Sequence, residues 1–190
     1  MGGTEDAGEK IRAIDEKIRR EYEMVVAPMV VDMAGFTSRT RQFGILHYLS
    51  MIEMMRITLL PIVEEGGGTP VKVEADNLFA YFKSPSAALR AVSKIGRALR
   101  TVNEDVDDAY RIDLSIGIGF GPILVTQMDM WGGEFNVACK LGEDLAQTGE
   151  VVLTENARRK IRSEKIQFKE RSYVVGGDVL NGYSVPLGAL

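Results

Sequence analysis

Val31-Asp32-Met33-Ala34-Gly35-Phe36-Thr37 sets a carboxylate at the end of an apolar run and follows it with a glycine turn. The run before it, residues 24–32, is rich in Val and Met and predicts a buried strand. After it, Phe43, Leu46, Met51, Met54, Met55 and Leu59 suit one long helix over residues 38–63, with Thr37 or Ser38 as its N-cap. Strand end, turn and helix start therefore meet at Asp32. A carboxylate placed there suits a hard cation. The backbone amides of Ala34, Gly35, Phe36 and Thr37, at the start of a helix, favour an anion. A plain strand end with a routine turn fits the same residues, so the rest of the chain has to decide.

Upstream, residues 9–22 are highly charged and carry Ile11, Ile14 and Ile18 at helical spacing. Residues 1–23 read as an N-terminal amphipathic helix or linker, and 24–190 as the main domain. That helix suits a signalling linker, a dimer coiled coil or a packing element. Downstream, Gly66-Gly67-Gly68 ends the long helix. Residues 70–82 predict two strands around Ala75-Asp76-Asn77, and 86–102 a helix. In 111–120, Ile112, Leu114, Ile116 and Ile118 alternate, predicting a strand with one solvated or partner-facing side. Then follow a short return strand at 123–125, a helix at 134–145, a strand at 150–153, a short helix at 156–161 and a closing hairpin over 166–185. The expected class is α+β, a sheet with helices packed mostly on one face.

Composition narrows the chemistry. At this length, 190 residues with 45% apolar, one domain can hide about 70% of its unfolded surface. With 23 Lys+Arg against 27 Asp+Glu, the net charge of −4 lacks the basic excess of a dedicated nucleic-acid binder. A single cysteine, Cys139, excludes an internal disulfide framework or a Cys-rich zinc site, and a single histidine, His47, argues against a histidine metal centre. The longest apolar run, residues 24–31, is broken by Pro28 and falls short of the ~18–20 residues of a membrane span. The first ten residues are polar and acidic, unlike a secretory signal. A cytoplasmic chain without a membrane span is the expectation. Carboxylates, lysines and backbone amides must carry any chemistry.

Two further segments supply such groups. In Lys72-Val73-Glu74-Ala75-Asp76-Asn77, Asp76 falls at a hairpin tip and Lys72 in the incoming strand. A hairpin lying beside the first strand would bring Asp76 to Asp32, and two carboxylates with phosphate oxygens are what Mg²⁺ takes. An ordinary Asp-Asn turn with a solvated lysine is the other reading. Glu74 reads as a surface charge. In Asp129-Met130-Trp131-Gly132-Gly133-Glu134-Phe135-Asn136-Val137-Ala138-Cys139-Lys140, Asn136 and Lys140 are one helical turn apart, either a working pair or a polar stripe. Cys139 suits packing as a small apolar residue.

Together these segments resemble the catalytic domain of the class III nucleotidyl cyclases, the adenylyl and guanylyl cyclases. Residues 31–37 resemble the family's opening Asp-x-x-Gly-Phe-Thr loop, and 67–82 its Gly-Gly…Lys-x-x-Gly-Asp hairpin. Ile116-Gly117-Ile118-Gly119, Asp129-Met130-Trp131-Gly132, Asn136-Val137-Ala138 and Thr148-Gly149-Glu150 follow in family order. The resemblance spans roughly residues 25–185 and implies a ferredoxin-like antiparallel core.

It also implies function. Asp32 and Asp76, assisted by the Met33 carbonyl, would bind two divalent ions, Mg²⁺ or Mn²⁺. Residues 34–37 would cradle phosphate. From the second chain of a homodimer, Lys72 and Asp129 would read adenine, Asn136 would position the ribose and Lys140 would stabilise the transition state. The implied activity is an adenylyl cyclase making cyclic AMP from ATP. The alternatives are a weakly active or inactive nucleotide-binding regulatory module and a guanylyl cyclase. Departures from the family pattern are Lys140 for the usual Arg, Ala75 for the usual Gly, a short link between Gly121 and Asp129, and no Lys at residues 175–178. A lysine keeps the charge but loses the bidentate fork, which implies a slow enzyme.

Overall fold

A computed structural model describes residues 3–163 and 165–190, with the side chains of 3–6, 36–39 and 178 outside that description. The helix α1 (Gly3–Tyr22) runs directly into β1 (Glu23–Met33). Then come α2 (Phe36–Phe43), α3 (Ile45–Glu65), the hairpin β2 (Gly68–Glu74) and β3 (Asn77–Phe82), and α4 (Pro85–Glu104). The second half has β4 (Leu114–Ile118), β5 (Gly121–Val125), β6 (Met130–Trp131), α5 (Gly133–Cys139), β7 (Glu150–Thr154), α6 (Glu155–Arg159), β8 (Lys169–Val175) and β9 (Asp178–Pro186).

The main sheet runs β2-β3-β1-β4-β7-β9-β8, antiparallel except for the β4–β7 pair. β1 sits near its centre. Its first residues pair with β5, and Met29 onward pairs with β4. Pro28 falls where one partner gives way to the other, so its missing N–H breaks no regular ladder. The alternation along β1 divides two cores. Ala27, Met29, Val31 and Met33 face α3 and α4, while Val26 and Val30 join Phe135 and Ala138 of α5. Helices thus cover both faces, α3 and α4 on one side and α5 on the other, where the sequence pattern predicts helices mostly on one. This also explains β4. All five of its residues are buried, rather than alternating with a solvated side, because strands flank it and helices lie above and below.

The long helix expected over 38–63 is broken. Gly44, with φ 87° and ψ 169°, separates α2 from α3. The N-cap of α2 is Gly35 in the left-handed region, with no side-chain cap, so neither Thr37 nor Ser38 holds that role. α3 buries Tyr48, Met51, Met55, Leu59 and Val63 along one face. Burying five such side chains contributes on the order of 10 kcal/mol before chain entropy is subtracted. Its other side exposes Leu46, Leu49 and Ile57. By length and composition alone, α3 is apolar enough to cross a membrane; Glu53 and Arg56 interrupt it, so it contains no long unbroken apolar run. α4 starts at Pro85, one residue before the predicted 86, with Ser84 accepting from the Ala87 amide and Pro85 in the first turn.

Candidate active site

Asp32 stands one residue from the end of β1, opposite Asn77 of β3. The hairpin turn is stitched to this strand end by the Met33 N–H, which donates to the Asp76 carbonyl at 3.1 Å. Asp32 and Asp76 are therefore neighbours at one end of the sheet. With its amide nitrogen turned to donate, Asn77 reaches Asp32 Oδ1 at 3.2 Å and the Val31 carbonyl at 3.3 Å. Ala75 takes φ 50°, so an alanine occupies a left-handed turn position at the tip.

Burial pushes the half-buried Asp32 carboxyl up to about 6, aided by the negative charges of Asp76, Glu143 and Asp144. All the charges acting on it are negative, a setting that a hard cation would relieve. Among the described residues no three Asp, Glu, His or Cys side chains converge to cage a metal. A cation placed here would meet two protein carboxylates, Asp32 and Asp76. That leaves coordination positions for phosphate oxygens and water, the usual division for Mg²⁺.

Lys72 and Asp129, distant in sequence, meet at 3.1 Å between Nζ and Oδ2. The loop after β5 makes this possible. The Thr126 N–H donates to the Asp129 carbonyl at 2.9 Å, the Asp129 N–H to Thr126 Oγ1 at 3.1 Å, and the Met130 N–H to Asp129 Oδ1 at 2.8 Å. One carboxylate oxygen is fixed by backbone and the other is left for Lys72. Beneath them, Lys72 Nζ lies 4.9 Å from the centre of the Phe79 ring, which packs edge-on against Phe135. Glu74 is not a bystander: its Oε2 is 2.8 Å from Lys72 Nζ. Glu74 first, and Asp129 after it, hold the Lys72 ammonium above its ordinary range.

α5 carries Asn136, exposed, and is positioned by two contacts. Glu134 accepts from the Phe120 N–H at 3.1 Å, from Thr154 Oγ1 at 2.9 Å and from the Asn156 amide. Gly117 of β4 lies against the helix backbone so closely that a Cβ there would sit 2.0 Å from the Ala138 carbonyl oxygen. The helix then widens into a π-turn over Lys140–Leu145. The Lys140 N–H still reaches the Asn136 carbonyl, preserving their one-turn spacing. The Lys140 ammonium pairs with Asp144 Oδ2 at 2.7 Å. The widened turn also brings in Glu143, which the sequence reading missed. Burial first, then Asp144, Asp76 and Glu74, raise its carboxyl above the ordinary range. Burial likewise pushes the Cys139 thiol up to about 12, leaving it an inert packing group.

The structure thus gathers Asp32, Met33 and Asp76 at one point and Lys72, Glu74 and Asp129 at another. Ala34 bonds through its N–H to the Asp113 carbonyl at 2.9 Å, which removes it from the amides free to meet an anion. Gly35 turns at φ 91° into α2. The backbones of Phe36 and Thr37 open that helix, and their side chains lie outside the described residues. Trp131 is half exposed beside β5.

No family model matches the chain. Among curated proteins, it is 29% identical over 127 residues to the serine/threonine-protein kinase pkn2 of Myxococcus xanthus, covering 67% of this chain and 15% of that protein. It is 26% identical over 159 residues to putative adenylate cyclase 3 of Rhizobium meliloti, covering 83% and 26%. The chain therefore spans about a quarter or less of these relatives. Among solved structures, the adenylate/guanylate cyclase/hydrolase of Silicibacter pomeroyi superposes with a TM-score of 0.73 at 26% identity, covering 85% of this chain and 96% of that one. Motif order, sheet topology and these likenesses agree: the chain has the fold of the class III nucleotidyl cyclase catalytic domains it resembles.

Proposed function

We propose that the chain is an adenylyl cyclase, converting ATP to 3′,5′-cyclic AMP and pyrophosphate at sites shared between two copies. The observation that carries this reading is the Lys72–Asp129 pair at 3.1 Å, set on the same domain as the Asp32–Asp76 carboxylates. A lysine donates to adenine N1 and a carboxylate accepts from the adenine amine. Guanine offers no donor to that carboxylate when the lysine bonds its O6, so this pair by itself favours adenine.

Asp32 and Asp76, with the Met33 carbonyl, would hold Mg²⁺ or Mn²⁺. When bound, such ions supply charge neutralisation and lower the pKa of the attacking 3′-hydroxyl. The remaining work belongs to the chain. The turn at Gly35 and the start of α2 receive phosphate. Asn136 orients the ribose so that its 3′-oxygen lies in line with the α-phosphate. Lys140 places a positive charge where negative charge develops. Its ion pair with Asp144 at 2.7 Å competes for that charge and supports slow turnover. In the homodimer, Lys72, Asp129, Asn136 and Lys140 of one copy complete the carboxylate site of the other, giving two equivalent sites.

The test is cyclic nucleotide formation from ATP and from GTP with Mg²⁺ or Mn²⁺, across protein concentration. Cyclic AMP formation whose specific rate rises with concentration is expected. Absence of product with either nucleotide rejects the enzyme. Mixing Asp32→Asn with Asn136→Ala chains, each inactive alone, tests the shared site. Random pairing makes one intact site in each mixed dimer and restores roughly a quarter of wild-type activity. No recovery after verified chain exchange rejects sharing.

A further inference from the structure

Lys72 is flanked on both sides. Its ammonium lies 2.8 Å from Glu74 Oε2 and 3.1 Å from Asp129 Oδ2. Lys72 and Glu74 are two apart on β2, so their side chains leave the same face of the strand. The three groups therefore form a row in the order acceptor, donor, acceptor. Lys72 has three N–H donors, of which the two carboxylates use two, leaving one for a ligand. The Glu74 side chain is 68% exposed against 31% for Asp129. Glu74 is thus the arm more open to an incoming base, while Asp129 has one oxygen committed to the Met130 N–H.

The two purines present different edges to such a row. Adenine offers a donor at its amine and an acceptor at N1. Lys72 with Asp129 satisfies both. Guanine offers an acceptor at O6 and donors at N1 and its 2-amine. Lys72 donating to O6, with Glu74 accepting from N1–H and the 2-amine through its two oxygens, satisfies all three. A carboxylate is the side chain suited to that second task, because both guanine donors lie side by side on one edge.

We infer that Glu74 is a specificity-determining residue that gives this pocket a second, guanine-directed reading, so that it takes GTP as well as ATP. The inference rests on the purine-reading role proposed for Lys72 and Asp129. It assigns a base-reading role to a residue outside that pair. The step itself is unchanged: the ribose 3′-oxygen attacks the α-phosphate, its proton leaves to solvent, and the bond to pyrophosphate breaks.

The experiment compares binding of 3′-deoxy-ATP and 3′-deoxy-GTP, which lack the attacking hydroxyl, by equilibrium dialysis with Mn²⁺. Wild type, Glu74→Gln and Asp129→Asn are measured under identical conditions, with circular dichroism to check folding. Wild type is expected to bind both nucleotides. Glu74→Gln is expected to move the ratio of guanine to adenine affinity toward adenine by about tenfold, and Asp129→Asn to move it toward guanine by a similar factor, because each leaves different ligand donors without a charged acceptor. A Glu74→Gln ratio within twofold of wild type, with the Asp129→Asn shift present, overturns the role of Glu74 while leaving the adenine reading intact. If Asp129→Asn does not shift the ratio either, or wild type binds neither nucleotide, the purine reading fails and the inference falls with it. Glu74→Ala repeats the first arm without a residual amide and must shift the ratio in the same direction.

Discussion

Replacing Asp32 by Asn should stabilise the metal-free protein while destroying its response to divalent cations. The carboxyl is half-buried and pushed from 3.8 up to about 6, chiefly by burial and then by Asp76, Glu143 and Asp144. A carboxyl pKa raised on folding means that the folded chain binds the proton more tightly than the unfolded chain. Ionised Asp32 therefore costs stability above pH 6, and the cost fades as pH falls from about 6 toward 4. The full difference corresponds to about 3 kcal/mol. Solvent screening of a half-exposed group reduces it to about 1 kcal/mol. In a domain of this size that is roughly 2–4 °C of melting temperature. The substituted amide keeps an acceptor for the Asn77 side chain and removes the charge. Urea denaturation in chelator should show the variant more stable than wild type by about 1 kcal/mol at pH 8 and nearly equal at pH 4. Added Mn²⁺ should raise the stability of wild type and leave the variant unmoved. A variant equal to or weaker than wild type at pH 8, or equally stabilised at both pH values, refutes the desolvation argument. An undiminished Mn²⁺ response in the variant removes Asp32 from the cation site.

Ala75→Gly should raise stability by about 0.5–1 kcal/mol in thermal melts, because φ 50° at the hairpin tip suits glycine better than alanine; no gain would mean the turn is not strained. Gly117→Ala should lower stability by more than about 4 kcal/mol or prevent folding, since its Cβ would lie 2.0 Å from the Ala138 carbonyl oxygen and backbone cannot yield cheaply; a variant within about 1 kcal/mol by denaturation would contradict this packing. Lys140→Arg should raise kcat severalfold and Lys140→Ala lower it about tenfold, with KM for ATP little changed in either; equal rates for all three chains in a cyclic nucleotide assay would leave Lys140 as a solvated helix residue. Asp144→Asn should raise kcat by releasing Lys140 from its 2.7 Å partner, and a fall in kcat would instead make Asp144 a positioning group.

Periodicity and end signals are local, and the elements that depend on them are legible in the chain itself. The apolar stripe of α4, the run that became β1, and the turn at Ala75-Asp76 needed only neighbouring residues. The ordered motifs from Asp32 to Thr148 carried the fold family for the same reason, since each is a short strand-end or turn with its own residue requirements. What involved distant partners was not legible. Gly44, at φ 87° and ψ 169°, splits the first long helix, although the apolar spacing runs through it. β4 is buried on both faces because α5 closes over Gly117, a contact that depends on the missing side chain of that glycine and not on alternation. Glu143 joins the carboxylates only because the helix after Cys139 widens into a π-turn, which shifts every following side chain off helical count. Glu74 meets Lys72 on β2, and Asp129 joins them from a loop held by Thr126 and Met130. Such charges are placed by the whole sheet. Their meeting is decided by long-range strand register, a property of the folded chain that no window of sequence contains.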